Sequence, residues 1–537
     1  MKQKSKKSKI QQRYNWRNKT IYQIYPRSFH AKENKDGNGD LKGIIDKLDY
    51  LQELGVDVIY LSPVYPSPMK DNGYDIEDYR DINPLFGDQR TFDELISGVH
   101  KRNMLLMMDF VPNHTSDQHE WFKQSRSSNN NPKRNWYHWR SLPNNWINVF
   151  DNTSGSAWTY DEKTNEYYLH SFLKEQPDLN WDNPEVLKAM YDILLFWMDR
   201  GIDAFRIDAG LYIIKHSKYP DEPLNPDYVA GIDHPNEIYI HTVSKDQPRG
   251  FKKLADMGNF IGSYGGFSMQ EVYVGAEERE ILYRLSEDGL SVPLNFDLII
   301  NTNWNAQDVK KIIFDYYVLL KNKDIVPLSL GNHDQSRVAT RLGSQKDARL
   351  AAMLQMTLDC IPVIFQGEEL GMEDVKIPEE KQQDPFTEKL RDPARTPMQW
   401  DDGPNAGFTS AEAQPWLPVG VHYKERNVKR ELGDPQSMLS LYKKLLALRK
   451  KSLIPQRPVT VKVNNDNVLS YTRATKDGKR VLILLNFSDK HESIDMGFLT
   501  IASGKLLLKT SLDRDNADVI DFKDFLLEPK EGYIFLV

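Results

Sequence analysis

Eight short apolar runs, set apart by amphipathic or polar stretches, narrow the possible folds of this chain more than any other feature. They are IYQIYP from Ile21, VDVIYLSP from Val56, NMLLMMDF from Asn103, DAFRIDA over 203–209, FSMQEVY from Phe267, VPLNF from Val292, IVPLSLG from Ile325 and IPVIFQG from Ile361. NMLLMMDF is almost unbroken in apolar side chains, as suits a parallel strand whose two faces are both covered. Between the first two runs, Leu41, Ile44, Ile45, Leu48, Leu51 and Leu54 share one side of a helix predicted over 41–54. Further helices are predicted over 91–102 and 184–199, and from Val309, Lys346 and Gln436. A doubly wound sheet would alternate in the same way. Eight repeats over roughly 430 residues fit a closed TIM (β/α)8 barrel better.

Two stretches break the rhythm. About seventy residues after Phe110 are rich in Asn, Trp, Tyr and Ser, too long for an ordinary βα loop, and read as a subdomain inserted after strand three. From about Thr460 the texture becomes VTVKV, NVLSYTR, KRVLILLNF, GKLLLKT and EGYIFLV between turn residues, which predicts a C-terminal all-β domain. The expected division is a basic tail at 1–19, a barrel at 20–109 and 181–455, an inserted domain at 110–180, and a β-sandwich at 456–537.

Composition excludes several classes. The 537 residues, 39% hydrophobic and 11% aromatic, carry enough apolar surface for a large core plus smaller units. A net charge of −7 gives no basic stripe for nucleic acid, and no apolar run is long enough to span a membrane. The first nineteen residues hold eight Lys/Arg and no acid, but lack the apolar stretch of a secretory signal. A lone cysteine, Cys360, leaves no disulfide framework. A cytoplasmic protein is expected, of open oligomeric state.

The chemistry-bearing residues fall at the C-terminal ends of the candidate barrel strands, where barrel active sites are built. Asp109 ends strand three, with Asn113 and His114 just beyond; Arg206 and Asp208 lie two apart on strand four and so point the same way. Glu271 lies near the end of strand five, and His333 and Asp334 follow strand seven. An Asp at a strand end is ordinarily a turn or cap residue. Three acids, an arginine and two histidines on one rim are hard to explain that way. A carboxylate and a carboxylic acid flanking a glycosidic bond would suffice for its displacement. Asp208 suits the nucleophile because Arg206 favours its ionised form, and Glu271 suits the acid/base.

The chain resembles glycoside hydrolase family 13, the α-amylase family, from about Ile21 to its C-terminus. The matching blocks are DFVPNH (109–114), QPDLN (176–180), GIDAFRIDA (201–209), the Glu of MQEVY (269–273) and GNHD (331–334). The resemblance implies Asp208 as nucleophile, Glu271 as general acid/base and Asp334 as transition-state stabiliser, with Arg206, His114 and His333 on the bound sugar. It implies the same barrel, inserted domain and β-rich C-terminal domain, and no cofactor for the chemistry.

QPDLNW and RTPMQW (395–400) are similar to motifs of the branch containing oligo-1,6-glucosidases, α-glucosidases, dextran glucosidases and sucrose isomerases. There the resemblance implies that Asp75, of the GYD motif, pairs with Arg395 to grip the terminal non-reducing glucose. Relatives acting on α-1,6 bonds commonly carry Val directly after the nucleophile, and α-1,4-acting ones Ala or Thr; Ala209 looks like the α-1,4 type. The expectation is a retaining exo-acting α-1,4-glucosidase on maltose and short malto-oligosaccharides. An oligo-1,6-glucosidase, and a transglucosylase or sucrose isomerase, are the alternatives. A non-enzymatic sugar-binding relative would be expected to lose one of the three acids. Two departures stand out. KENKDGNGD (32–40) has Lys32 where a metal loop begins with Asp, although Asn34, Asp36, the Asn38 carbonyl and Asp40 offer oxygens to a structural Ca²⁺. Gln270 stands where relatives commonly have Gly before the acid.

Overall fold

The computed structural model describes residues 16–150, 155–233, 235–273, 276–285, 291–300, 303–319, 326–386, 390–453, 459–464, 466–494, 501–513 and 519–537. Eight parallel strands form the central sheet: β1 (Ile21–Ile24), β2 (Val58–Leu61), β3 (Leu105–Phe110), β4 (Ala204–Ile207), β5 (Phe267–Gln270), β6 (Ser291–Pro293), β7 (Pro327–Ser329) and β8 (Ile361–Phe365). Their order, β7-β8-β1-β2-β3-β4-β5-β6, is that of an (β/α)8 ring. Among the described residues, the ring is joined between β6 and β7 by one parallel bridge, Asn295 to Leu328. Every residue of all eight strands is buried, as apolar strands covered by helices outside and side chains inside must be.

The helices begin and end on recognisable local signals. α1 (Leu41–Asp46) starts where Asp40 accepts the Gly43 N–H, and α2 (Leu48–Leu54) follows after a break at Lys47, so the single helix expected over 41–54 is two. α3 (Gln89–Lys101) is capped by Asp88, and α4 (Pro184–Arg200) by Asn183 with Pro184 in its first turn. Gly201, at φ 116°, ends α4 in the left-handed conformation that returns the chain to β4. α5 (Pro248–Ser263) and α6 (Ala276–Leu285) were not apparent in the sequence; α7 (Ala306–Leu319), α8 (Gln345–Thr357) and α9 (Met438–Lys451) lie near the predicted positions.

Between β3 and β4 a three-stranded antiparallel sheet (Trp139–Arg140, Trp158–Asp161, Glu166–Leu169) stands over the rim of the barrel. A buried ion pair, Lys215 Nζ to Asp178 at 2.8 Å, ties this region to the loop after β4. The C-terminal part is a six-stranded antiparallel sheet plus a two-stranded one. It docks on α8, where Tyr471 and Thr357 hydroxyls bond and Arg349 Nη1 donates to Thr510 O at 2.7 Å. The basic tail at 1–15 lies outside the described residues. Its continuation is packed: Trp16 is buried and stacks on Phe267 at 4.6 Å, plugging the end of the barrel opposite the site. Among the described residues, no helix is long and apolar enough to cross a membrane.

Candidate active site

Arg206 organises the rim. It leaves β4 with its side chain buried, and its Nη1 reaches Asp109 Oδ1 at 3.0 Å and also bonds Asp208, while Nη2 meets Glu271 Oε1 at 2.6 Å. One guanidinium thus serves three carboxyls. Asp109 has further donors, Tyr60 at 2.7 Å and Tyr74 at 3.0 Å, so its role is to brace Arg206 rather than to meet solvent. The loop of Asn113 and His114 is held by Asp178, which accepts from Asn113 Nδ2 at 3.0 Å.

Asp208 and Glu271 are bonded to the same guanidinium, and Glu271 Oε2 also accepts the Ala209 N–H at 3.3 Å. Burial is the largest influence on both and raises their pKa values; Arg206 opposes it in each case. Each carboxylate of the pair disfavours the ionised form of the other, while Arg206 favours it in both.

Asp334 faces them with the opposite electrostatics. Burial pushes its pKa up, but His333 and the guanidinium groups of Arg391, Arg395 and Arg206 outweigh it and hold the carboxyl well below its usual range. Arg395 Nη2 donates to Asp334 Oδ1 at 2.8 Å, and Arg395 Nε to the His333 carbonyl at 2.7 Å. Burial lowers His333 to about 3, so its ring is neutral. Gln23 Nε2, a donor, lies 2.9 Å from His333 Nδ1, which leaves the ring proton on Nε2, toward Tyr74 at 2.7 Å and Asp334 at 3.2 Å. His114 is likewise buried, with its pKa lowered by burial to about 4, and its Nε2 lies 3.0 Å from Gln176.

The expected pair of Asp75 and Arg395 is not formed. Asp75 turns into its own loop and accepts from Ser67 Oγ at 2.8 Å, Lys70 N at 2.8 Å and Asp71 N at 3.0 Å, while Arg395 backs Asp334. The pair on the cavity wall lies four residues earlier on each side: Asp71 Oδ1 meets Arg391 Nη2 at 2.9 Å. Arg391 is also held by Asp384 at 2.6 Å, and Gln176 Nε2 donates to Asp71 Oδ2 at 3.0 Å.

The cavity has a volume of about 250 Å³. Asp208, Glu271, Asp334, His114 and His333 line it, together with Asp71 and Arg391. Arg206 and Arg395 stand behind this wall. Aromatic side chains that the sequence did not single out (Phe150, Phe172, Tyr212, Tyr273 and Phe386) also line it. Ala209, directly after Asp208, also lines the cavity and sits at φ 44°. Gln270 points away from it: its Nε2 donates to Ser291 Oγ at 2.6 Å and Leu254 O at 3.2 Å, so its bulk does not press on Glu271.

The loop expected to hold Ca²⁺ is closed by the protein itself. Asp40 Oδ2 accepts the N–H groups of Lys32, Glu33 and Asn34, and its Oδ1 accepts that of Gly43. Asn38 Oδ1 accepts from the Arg27 guanidinium at 2.7 Å, Asp36 accepts from Asn38 N, and Asn34 Nδ2 donates to Leu85 O. Arg27 thus engages the Asn38 side chain rather than its main-chain carbonyl, and Lys32 turns out to Asp46 at 3.0 Å. Among the described residues, no group of three or more His, Cys, Asp or Glu converges as metal ligands would.

Comparison with known proteins agrees with this geometry. The family profile described as "Alpha amylase, catalytic domain" matches residues 23–456. The chain is 40% identical to an oligo-1,6-glucosidase of Parageobacillus thermoglucosidasius, over 97% of this chain and 99% of that one. It is 38% identical to an α-glucosidase of Apis mellifera, over 89% and 86% respectively. Among solved structures, the α-glucosyl transfer enzyme XgtA superposes with a TM-score of 0.87 at 32% identity, covering 97% of this chain and 99% of that one. The trehalulose synthase MutB from Pseudomonas mesoacidophila MX-45 gives 0.84 at 33% identity, with the same coverage. The chain belongs to the α-amylase family, glycoside hydrolase family 13, and is a glycoside hydrolase.

Proposed function

We propose that this enzyme is a retaining, exo-acting α-glucosidase that releases terminal non-reducing α-1,4-linked glucose from maltose and short malto-oligosaccharides. The observation that carries the proposal is that Asp208 and Glu271 both bond the one guanidinium of Arg206. Carboxyls bridged by a single guanidinium leave little room for the water an inverting enzyme places between substrate and base, whose carboxyls stand about 6.5–9.5 Å apart. In the proposed reaction Asp208 attacks the anomeric carbon while Glu271 protonates the departing glycosidic oxygen. Glu271, now a carboxylate, takes a proton from water, whose oxygen displaces Asp208 and frees glucose with its α configuration. Asp334, kept ionised by Arg391 and Arg395, steadies the positive charge that develops at the ring. His114 and His333 line the pocket beside the sugar.

Exo action is supported by the charged wall of Asp71 and Arg391, which takes over the role first expected of Asp75 and Arg395. The α-1,4 preference rests on the small side chain of Ala209 beside the leaving sugar, a difference that on its own is worth about 1–3 kcal/mol. The names of the relatives favour two other readings, α-1,6 hydrolysis and glucosyl transfer, both through the same covalent intermediate. No cation is assigned a step. Cys360 is buried and free, in keeping with a cytoplasmic setting as part of the same proposal.

Product analysis on maltose, isomaltose, sucrose and longer glucans tests the reading. Release of single α-glucose units, with maltose cleaved faster than isomaltose, is expected. Predominant cleavage of isomaltose would overturn the linkage, internal cleavage of long glucans the exo assignment, and β-glucose as first product the retaining mechanism.

A further inference from the structure

We infer that Arg27 is a positioning residue for the reaction: its guanidinium fixes the turn at Asn72 that aims Asp71 at the terminal sugar. The inference rests on the proposed reading of Asp71 and Arg391 as the wall that meets this sugar.

The turn needs a holder. Asn72 and Gly73 stand at φ 50° and 107°, in the left-handed region. A residue with a side chain stays there only at a cost, and persists where its surroundings fix it. This turn separates the two acids of DNGYD (71–75). Asp71 reaches Arg391 Nη2 at 2.9 Å on the cavity wall, while Asp75 folds back onto Ser67 Oγ and the N–H groups of Lys70 and Asp71. Arg27 Nη1 donates to Asn72 Oδ1 at 2.9 Å, and Asn72 is buried. The contact therefore lies on the one side chain between Asp71 and the glycine of the turn.

Arg27 is itself held along its length. It follows β1, and its carbonyl accepts the Gly39 N–H at 2.9 Å. Its Nε donates to Asn38 Oδ1 at 2.7 Å. Its guanidinium lies over the Trp416 ring, 3.9 Å from the centroid. That indole is fixed in turn: Nε1 donates to Ser28 Oγ at 3.0 Å, and the Trp416 N–H to Gly37 O at 3.0 Å. A planar fork that spans two amide oxygens while stacked on an indole sets a geometry that a point charge could not. Arg27 does not line the cavity, so it acts on the sugar through Asn72 and Asp71. Without it, Asp71 keeps its partner Arg391 but loses the turn that sets its angle. The loss then falls on binding of the terminal glucose, before any bond is broken.

The test measures kcat and KM on p-nitrophenyl α-glucoside, and the inhibition constant of glucose, at a temperature where every variant assayed is folded. Arg27→Met should raise KM and the glucose constant by about fivefold or more, with a smaller change in kcat. Arg27→Lys should lose as much, because an ammonium cannot span both amides. In an Asp71→Ala background, Arg27→Met should add less than about twofold, since both changes act at one contact. Asn72→Gly keeps the left-handed turn accessible and deletes the acceptor, so it carries the test if Arg27→Met does not fold. It should weaken glucose in the same way, and more than it changes kcat. Lower thermal stability with KM and the glucose constant unchanged would overturn the inference, as would wild-type behaviour of Arg27→Lys or a full additive loss in the double variant. A wild type that neither hydrolyses the aryl glucoside nor binds glucose would overturn the glucosidase reading, and the inference with it.

Discussion

Asp71 and Arg391 meet at 2.9 Å across the cavity although 320 residues separate them in the chain. Arg391 is held in addition by Asp384, so the wall they form is rigid before any sugar arrives. Removing one partner of such a buried pair leaves the other charge unmatched at the point of contact with substrate, at a cost of about 3–5 kcal/mol. Asp71→Ala is therefore expected to lower kcat/KM on maltose by about a hundredfold or more, with the loss mainly in KM. Asp75→Ala should behave differently: it breaks three hydrogen bonds within one loop and should cost about 1–3 kcal/mol of stability. Steady-state kinetics beside denaturant unfolding separates the two; a large kinetic loss confined to Asp75→Ala would reverse the assignment.

The shared position of Asp208 and Glu271 on Arg206 predicts distinct phenotypes. Asp208→Asn should abolish turnover on every substrate with little change in folding. Glu271→Gln should lose about 10²–10⁴-fold on maltose, yet retain much of the first step on an aryl glucoside whose leaving group needs no proton. A burst of aryl alcohol followed by slow turnover is the signature. Equal loss on both substrates would argue against Glu271 as the proton donor.

The pH profile follows from the proton that the proposed reaction needs on the pair. Activity needs the pair singly protonated, so kcat/KM falls at low pH when the second proton binds and at high pH when the last one leaves. Burial raises both carboxyls, which puts the alkaline limb above the ordinary carboxylate range. Neither limb belongs to His333 or His114, whose pKa values are lowered to about 3 and about 4. Imidazole NMR signals from both should show no titration between pH 5.5 and 8 (roughly the span of an ordinary histidine), while kcat/KM traces a bell.

Gln270 should matter for folding more than for turnover. Its amide joins β5 to α5 and β6, and Gly258 on α5 leaves room for this contact, since a Cβ there would stand 1.8 Å from Ser291 Oγ. Gly258→Ala should destabilise the protein by about 1–3 kcal/mol through overpacking. Gln270→Gly should cost a similar amount by leaving Ser291 Oγ and Leu254 O short of a donor. Neither should improve kcat. Higher kcat in Gln270→Gly would mean that this side chain constrains Glu271 after all.

The carboxylate constellation was legible because it obeys local rules. Period-two alternation puts Arg206 and Asp208 on one face of β4, and strand ends put Glu271 and Asp334 on the same rim. The wall of the cavity was not legible, because it depends on the path of loops. Asp71 and Asp75 are both acids of one short motif, and which of them faces substrate is decided by the turn at Asn72 and Gly73, with φ of 50° and 107°. Arg391 and Arg395 pose the same choice four residues apart. Likewise α5 went unread because Gly250, Gly258 and Gly262 lower its apparent helix propensity. Gly258 is there for Ser291, a partner that lies in another element. The loop over 32–40 depends on its surroundings in the same way: only the fold reveals that Arg27 engages the Asn38 side chain and that backbone N–H groups engage Asp40.

The single bridge between Asn295 and Leu328 gives the ring a seam, and the seam runs between the two halves of the machinery. On one side stand Asp208 and Glu271, fixed to each other through Arg206; on the other stand His333 and Asp334, fixed by Arg391 and Arg395. Around the rest of the circumference, neighbouring strands are stitched by a ladder; here, among the described residues, they share one rung. The two halves are therefore coupled across the rim by side chains rather than by the sheet: Tyr74 joins His333 to Asp109, and through it to Arg206.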